Sequence, residues 1–359
     1  MNFAKAAILS LIPALALAAC SPREEAAPVA AAPAPAPAPI VAAAPYAPVV
    51  SASPLAQSID QAPWSATPLP AESKRDMLIR AQVLLSRAGF SPGVIDGQEG
   101  GNLKNAIASF EAAQGLPEDG LLDEEVWKRL VTDTRPVVTD YVVAEADVKG
   151  PFGAPIPKDY ADMAKLEALS YVTPLESLAE KFHMDEALLT ALNPGADFSA
   201  PGTRLVVAAP GPEGLAGSVT RIEVDKARNR VRAFGTDGKM MASYPATVGS
   251  SDMPTPEGAW EVTQVAFDPH WNYDPGRLNF GDKSKGKLDI KPGPNNPVGA
   301  VWIDLSKDTY GIHGAPEPRL VGKTASHGCV RLTNWDARQL ARAVSKGTTV
   351  EFVGEERKA

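Results

Sequence analysis

The sequence predicts a multidomain chain. A small all-α three-helix module, a smaller α+β module and a mainly β, sandwich-like domain follow an apolar leader and a proline-rich tether. Three observations predict this. The 359 residues allow two or three domains at roughly 100–200 residues each, and a hydrophobic share of 44% is enough for real cores. The 34 prolines are about twice the usual share of roughly 5%, so part of the chain is expected to stay unpacked. The apolar spacing changes along the chain, from threes and fours to β-branched runs beyond Gly217. Two cysteines, Cys20 and Cys329, are too few for a disulfide scaffold. No CxxC or Cys/His set at metal spacing is present, so no structural metal is expected. The net charge of -8 argues against nucleic acid as a partner.

Residues 1–19 read as a secretory leader: Lys5, then a short apolar run from Ala6 to Ala19. That run is too short to span a bilayer, which needs about 20 residues. The ending Leu17-Ala18-Ala19-Cys20 resembles the bacterial lipobox. The resemblance implies cleavage before Cys20 and lipidation of its thiol. Ser21 after it implies sorting to the outer membrane, facing the periplasm of a Gram-negative cell. The alternative is an ordinary signal peptide with an incidental Cys20. Residues 20–72 are read as a disordered tether, because 29 of the 52 residues from Ser21 to Glu72 are Ala or Pro and such a segment leans toward polyproline II.

Residues 73–132 carry a half-repeat. Gly89-Phe90 leads to Ile95-Asp96-Gly97 and the stretch Leu103 to Phe110; Gly115-Leu116 leads to Asp119-Gly120 and Val126 to Leu130. Each half reads as a helix ending at Gly, a turn at Asp-Gly and a new helix. Met77, Ala81, Leu84 and Leu85 mark the first of three helices. With Gly100, Ala106-Ile107 and Phe110, these residues resemble the three-helix type of peptidoglycan-binding domain. Residues 133–168 are read as a linker, since 136–216 hold 12 acidic and 5 basic side chains. In 169–209, Leu175, Leu178, Ala179 and Phe182 mark one helix and Leu188, Leu189 and Leu192 another. Asn193-Pro194 then precedes the strand-like Arg204 to Val207. This resembles a degenerate LysM glycan-binding module, with Val172-Thr173 where that family has Gly-Asp.

Residues 217–354 read as the mainly β domain. Val219 to Val224 and Val231 to Phe234 are strand-like, and Asp237-Gly238 signals a hairpin. Trp260 to Ala266, Val301 to Leu305 and Thr349 to Val353 read as further strands. One helix is expected from Asn334, as N-cap, to about Val344. Inside this domain lie Tyr310-Gly311-Ile312-His313-Gly314 and Ser326-His327-Gly328-Cys329-Val330-Arg331. Two of the chain's four histidines fall within 16 residues of Cys329. A thiol attacks as thiolate, and a nearby imidazole supplies both a base and a stabilising charge. A small residue before the nucleophile, here Gly328, lets backbone N–H groups approach a developing oxyanion. Cys329 is therefore a candidate nucleophile. Spacing leaves His313 and His327 open as its base, and a buried structural cysteine or a His313–His327–Cys329 zinc site as alternatives.

The upstream His-Gly followed by Ser-His-Gly-Cys-x-Arg resembles the L,D-transpeptidase catalytic domain, together with Pro294-Asn295-Asn296-Pro297 and Trp302-Ile303-Asp304-Leu305 ahead of it. The resemblance implies Cys329 as the acyl-accepting nucleophile and His313 as proton donor and acceptor, with the Gly314 carbonyl orienting it. Ser326 and His327 would support the loop, and Arg331 and Tyr310 would meet substrate. It also implies 3→3 cross-linking of tetrapeptide stems with no cofactor, peptidoglycan stems and glycan strands as partners, a membrane anchor through Cys20, and a monomer. A protein lysine, a D-amino acid or water could replace the acceptor amine. A wall-binding lipoprotein without catalysis is the alternative from another class.

Overall fold

The structure, a computed structural model, describes residues 53–278 and 280–356. The leader, Cys20 and the tether up to residue 52 lie outside the described residues. Helix α1 (Pro54–Gln61) opens on a proline, whose missing N–H costs nothing in the first turn. Ala56 and Ile59 are fully buried against α2 (Ala71–Arg87). The reading of 20–72 as a disordered tether is corrected here over its last part. Leu55, Ala56 and Ile59, at three- and four-residue spacing, give that stretch an apolar face. The expected bundle is completed by α3 (Gly101–Gln114) and α4 (Glu124–Leu130). Asp123 caps α4 by accepting from the Val126 N–H at 2.8 Å.

The segment 133–168 is not a solvated linker. It supplies β1 (Val138–Val142), α5 (Glu145–Lys149) and α6 (Tyr160–Met163). Beyond it come α7 (Pro174–Lys181), α8 (Glu186–Leu192) and β2 (Arg204–Ala208), and β1 and β2 pair antiparallel. Counting charge misled because Val138, Tyr141 and Val143 are buried while acidic neighbours such as Glu145 stay exposed. The α7–α8 pair, expected as a module apart, shares one core with the bundle: Leu178, Leu189 and Leu205 belong to the same cluster as Ile79 and Leu85. Main chains join as well, with the Ile95 N–H donating to the His183 carbonyl at 2.8 Å and the Asp185 N–H to the Ile95 carbonyl at 3.0 Å.

Among the described residues the last domain has ten strands, one α-helix and two short 3-10 helices. The strands and the α-helix are β3 (Val219–Asp225), β4 (Arg230–Gly235), β5 (Met240–Pro245), β6 (Gly258–Phe267), β7 (Trp271–Tyr273), β8 (Leu288–Ile290), β9 (Val301–Leu305), β10 (Gly311–His313), β11 (Val330–Arg331), α9 (Asn334–Ala343) and β12 (Thr349–Val353). Eight strands form one sheet in the order β11-β10-β9-β6-β12-β3-β4-β5, and β7–β8 is a separate hairpin. The two edges of the sheet meet, because Thr247, just past β5, and Arg331 exchange both backbone hydrogen bonds at 2.9 Å. The sandwich expectation is therefore corrected to a single curled sheet closed on itself. Register shifts in the β3–β4, β4–β5 and β6–β9 pairs bend and twist the strands enough to close it.

Helix α9 also departs from expectation. Its N-cap is Thr333, whose hydroxyl accepts from the Asp336 N–H at 3.2 Å. Asn334 is the first helical residue, and its side chain is used elsewhere. The three residues of this first turn carry much of the docking between the two halves. Asn334 Nδ2 donates to Glu180 Oε1 at 2.7 Å. Trp335 stacks on His183 with ring centroids 4.8 Å apart. Asp336 Oδ2 accepts from the Ser91 hydroxyl at 3.0 Å. A second set of contacts runs along β5, where Ser243 exchanges backbone hydrogen bonds with Gly89 and Ser91.

Candidate active site

Strand β10 ends at His313, and β11 begins one residue after Cys329. The two strands pair in parallel, Ile312 opposite Val330 and His313 opposite Arg331. This short pairing brings the two sequence motifs into one site. A cavity of about 220 Å³ lies there, lined by Cys329, His313, His327, Tyr310, Arg331 and Trp302 among others. Every charged side chain on its wall is basic; no Asp or Glu lines it.

His313 is 4% exposed. Its Nδ1 lies 2.6 Å from the Gly314 carbonyl, so Nδ1 carries the proton and donates it there, leaving Nε2 as the basic nitrogen. The ring stacks on Trp302 with centroids 5.4 Å apart and planes at 22°. Burial, reinforced by the charge of Arg331, pushes the imidazole pKa down to about 3. The Cys329 thiol is raised above its ordinary value by burial, against the opposing pull of the Gly311 backbone and Arg331. It is a free cysteine and donates to the Thr309 carbonyl at 3.7 Å. The resting pair is thus a neutral thiol and a neutral imidazole.

The supporting residues divide as follows. The Ser326 hydroxyl donates to the Cys329 carbonyl at 2.6 Å and accepts from the Gly328 N–H at 3.0 Å, which holds the loop in shape. The Gly328 amide is committed to that bond, and what Gly328 supplies is room and conformation. Its φ is +115°, and a Cβ there would sit 2.8 Å from the Tyr310 ring. His327 is exposed and stacks on Phe280 at 4.3 Å, at the mouth of the site. Among the described residues no three His, Cys, Asp or Glu side chains are placed to hold a metal ion, so His313, His327 and Cys329 are not a ligand set.

The model of the L,D-transpeptidase catalytic domain matches residues 219–352, and that of a "Putative peptidoglycan binding domain" matches 74–130. "Putative L,D-transpeptidase YkuD" of Bacillus licheniformis is 30% identical over 178 residues, which are 50% of this chain and 92% of that protein. The chain belongs to the L,D-transpeptidase family. "Putative L,D-transpeptidase YqjB" of Bacillus subtilis is 33% identical over 140 residues, 37% of this chain and 71% of that protein. "Probable L,D-transpeptidase ErfK/SrfK" of Escherichia coli is 28% identical over 187 residues, 51% and 60%.

Within this L,D-transpeptidase domain the structure adds residues that the motifs did not reveal. Trp302 reads as part of a strand and of the family resemblance, without a site role, and it forms one wall against His313. Trp271 and Phe280, from β7 and the loop after it, form another wall. Tyr160 comes from α6, outside both matched spans. No pattern around Tyr160 marks it, because its place in the site is set by tertiary packing.

Proposed function

We propose that the protein is a periplasmic L,D-transpeptidase that forms 3→3 peptidoglycan cross-links through a Cys329 acyl-enzyme. The observation that carries this reading is the seating of Cys329 and a tautomer-fixed His313 in one cavity. Sulfur attacks the carbonyl of the third residue of a tetrapeptide stem. The S–C bond forms and the C–N bond to the terminal D-Ala breaks, while His313 takes the thiol proton and passes it to the departing amine. A side-chain amine of a second stem then attacks the thioester. Its C–N bond forms, the C–S bond breaks, and the proton returns through His313 to sulfur. Because both groups rest neutral, the proton moves during attack rather than before it. Metal and organic cofactors have no part in this scheme.

The helical module and the α7–α8 pair would hold the enzyme against the wall. A groove of about 690 Å³ on the bundle, lined in part by Trp64, Lys74, Leu103 and Leu121, supports binding of glycan or stem there. The α+β arrangement of β1, α7, α8 and β2 supports the LysM-like reading. Lipidation at Cys20, anchoring at the outer membrane and a monomeric state complete the proposal.

The test is incubation with purified tetrapeptide muropeptides, read by mass spectrometry. Loss of D-Ala with dimer formation is expected, together with an adduct on Cys329 that Cys329→Ala abolishes. Monomer that has lost D-Ala would point to water as acceptor. Unchanged substrate and no adduct would sink the enzymatic reading.

A further inference from the structure

The cavity holds one charge that the acyl transfer leaves unexplained. Arg331 is fixed through its backbone to Thr247 on one side and to β10 on the other. Its Nε is buried without a hydrogen-bond partner. No ion pair of its guanidinium exists among the described residues, and the cavity wall offers no carboxylate. A partly buried cation whose buried N–H lacks a partner and that has no counter-charge is costly unless something that binds there supplies one. Arg331 lines the cavity together with Cys329.

Tyr160, carried by the segment that precedes the catalytic domain, lines the same cavity. Asp159 caps α6 by accepting from the Ala161 N–H at 2.8 Å and pairs with Lys285 in the β7–β8 loop. The Tyr160 ring packs edge-on against Trp271 at 5.0 Å and tilted against Tyr273 at 5.0 Å. The strand of chain behind it is pinned too: the Leu169 N–H donates to the Pro292 carbonyl, and the Asn295 N–H to the Leu169 carbonyl, both at 2.9 Å. A Cβ at Gly293 would collide with that Leu169 carbonyl. The Tyr160 hydroxyl itself makes no hydrogen bond among the described residues. Tyr160 and Arg331 influence each other's ionisation, as neighbours facing one space do.

We propose that Arg331 and Tyr160 together form a subsite for the terminal carboxylate of the acyl-donor peptide. This rests on the acyl-donor reading above. A guanidinium and a phenol are complementary to a carboxylate. The D-Ala carboxylate lies one residue from the attacked carbonyl, a span that a cavity of about 220 Å³ accommodates. Half of the subsite thus comes from outside the catalytic domain. Docking the carboxylate also offsets the Arg331 charge that disfavours protonation of His313, so the base strengthens once the donor is in place.

The test uses the full chain carrying Cys329→Ser and calorimetric binding of the tetrapeptide stem as free acid and as C-terminal amide. The acid is expected to bind about tenfold or more tightly than the amide, since charge-assisted hydrogen bonds are the strong ones. Arg331→Met should erase that preference. Tyr160→Phe, which keeps the aromatic cluster, should cut it severalfold without changing binding of the amide. Equal binding of acid and amide, or a preference that survives both substitutions, would overturn the proposal. Acyl-enzyme formation by the unsubstituted chain separates the two readings. A carboxylate preference without any acyl-enzyme would sink the donor reading and leave the subsite standing; acyl-enzyme without the preference would do the reverse.

Discussion

His313 Nδ1 is occupied by the Gly314 carbonyl at 2.6 Å, so only Nε2 is left to meet a thiol proton, and the stacked Trp302 keeps the ring from turning. His327, by contrast, is exposed and bears on Phe280. His313→Ala is therefore expected to slow acylation by about 10²–10⁴-fold, the usual worth of a general base, and His327→Ala by less than about tenfold. Rates of adduct formation on Cys329 decide it, and the reverse order would reassign the base. The acid side of the pH profile follows from the same geometry. With its pKa pushed down to about 3, His313 stays neutral and able to accept a proton as pH falls through 6.5. Acylation should persist at pH 5 and fail only nearer 3; an acidic limb centred at 6 to 7 would contradict this.

The first turn of α9 links the site to the rest of the chain. The Asn334 Oδ1 accepts from the Ala300 N–H at 2.9 Å, while its Nδ2 reaches Glu180 and the Pro294 carbonyl. The same Oδ1 lies where a Cβ on Gly314 would have to go. Gly314→Ala should thus displace the carbonyl that orients His313, at an overpacking cost of about 1–3 kcal/mol. Thermal unfolding and acylation rate should fall together, and adding Asn334→Ala should recover part of both. At this scale the sequence was legible only where signals are local. The Asp237-Gly238 turn joins the adjacent strands β4 and β5, and the apolar spacing of Met77, Ala81, Leu84 and Leu85 sits inside α2. Strands β10 and β11, three and two residues long, are too short to show any period. The motif around Cys329 was readable because the chemistry demands those residue types, whereas Tyr160 acquires its place in the cavity through packing alone.

Across the whole molecule, burial at the junction makes stability depend on pH. Burial raises the Asp336 carboxyl to about 7 and the Glu180 carboxyl to about 7, from ordinary values of 3.8 and 4.5. As pH rises through that window the unfolded chain releases these protons first, so stability is lost on the way up. The slope is at most about 1.4 kcal/mol per pH unit for each group. His183 and His313, lowered by burial from 6.5 to about 3, act oppositely: their contribution is lost as pH falls from 6.5 toward 3. Asp336→Asn keeps an acceptor for the Ser91 hydroxyl and removes one titration. Its stability relative to the unsubstituted chain, from denaturant curves at pH 4 to 8, should climb up to about pH 7 and then level. A constant difference would show that Asp336 does not titrate in this window.

Tyr160 sits on α6, ahead of the residues 219–352 that match the catalytic-domain family, and this has an evolutionary meaning. A gene segment cut at residue 219 and spliced behind a different module would carry the thiol and both nearby histidines but leave Tyr160, part of the cavity wall, behind. The unit that recombination can move intact begins no later than α6.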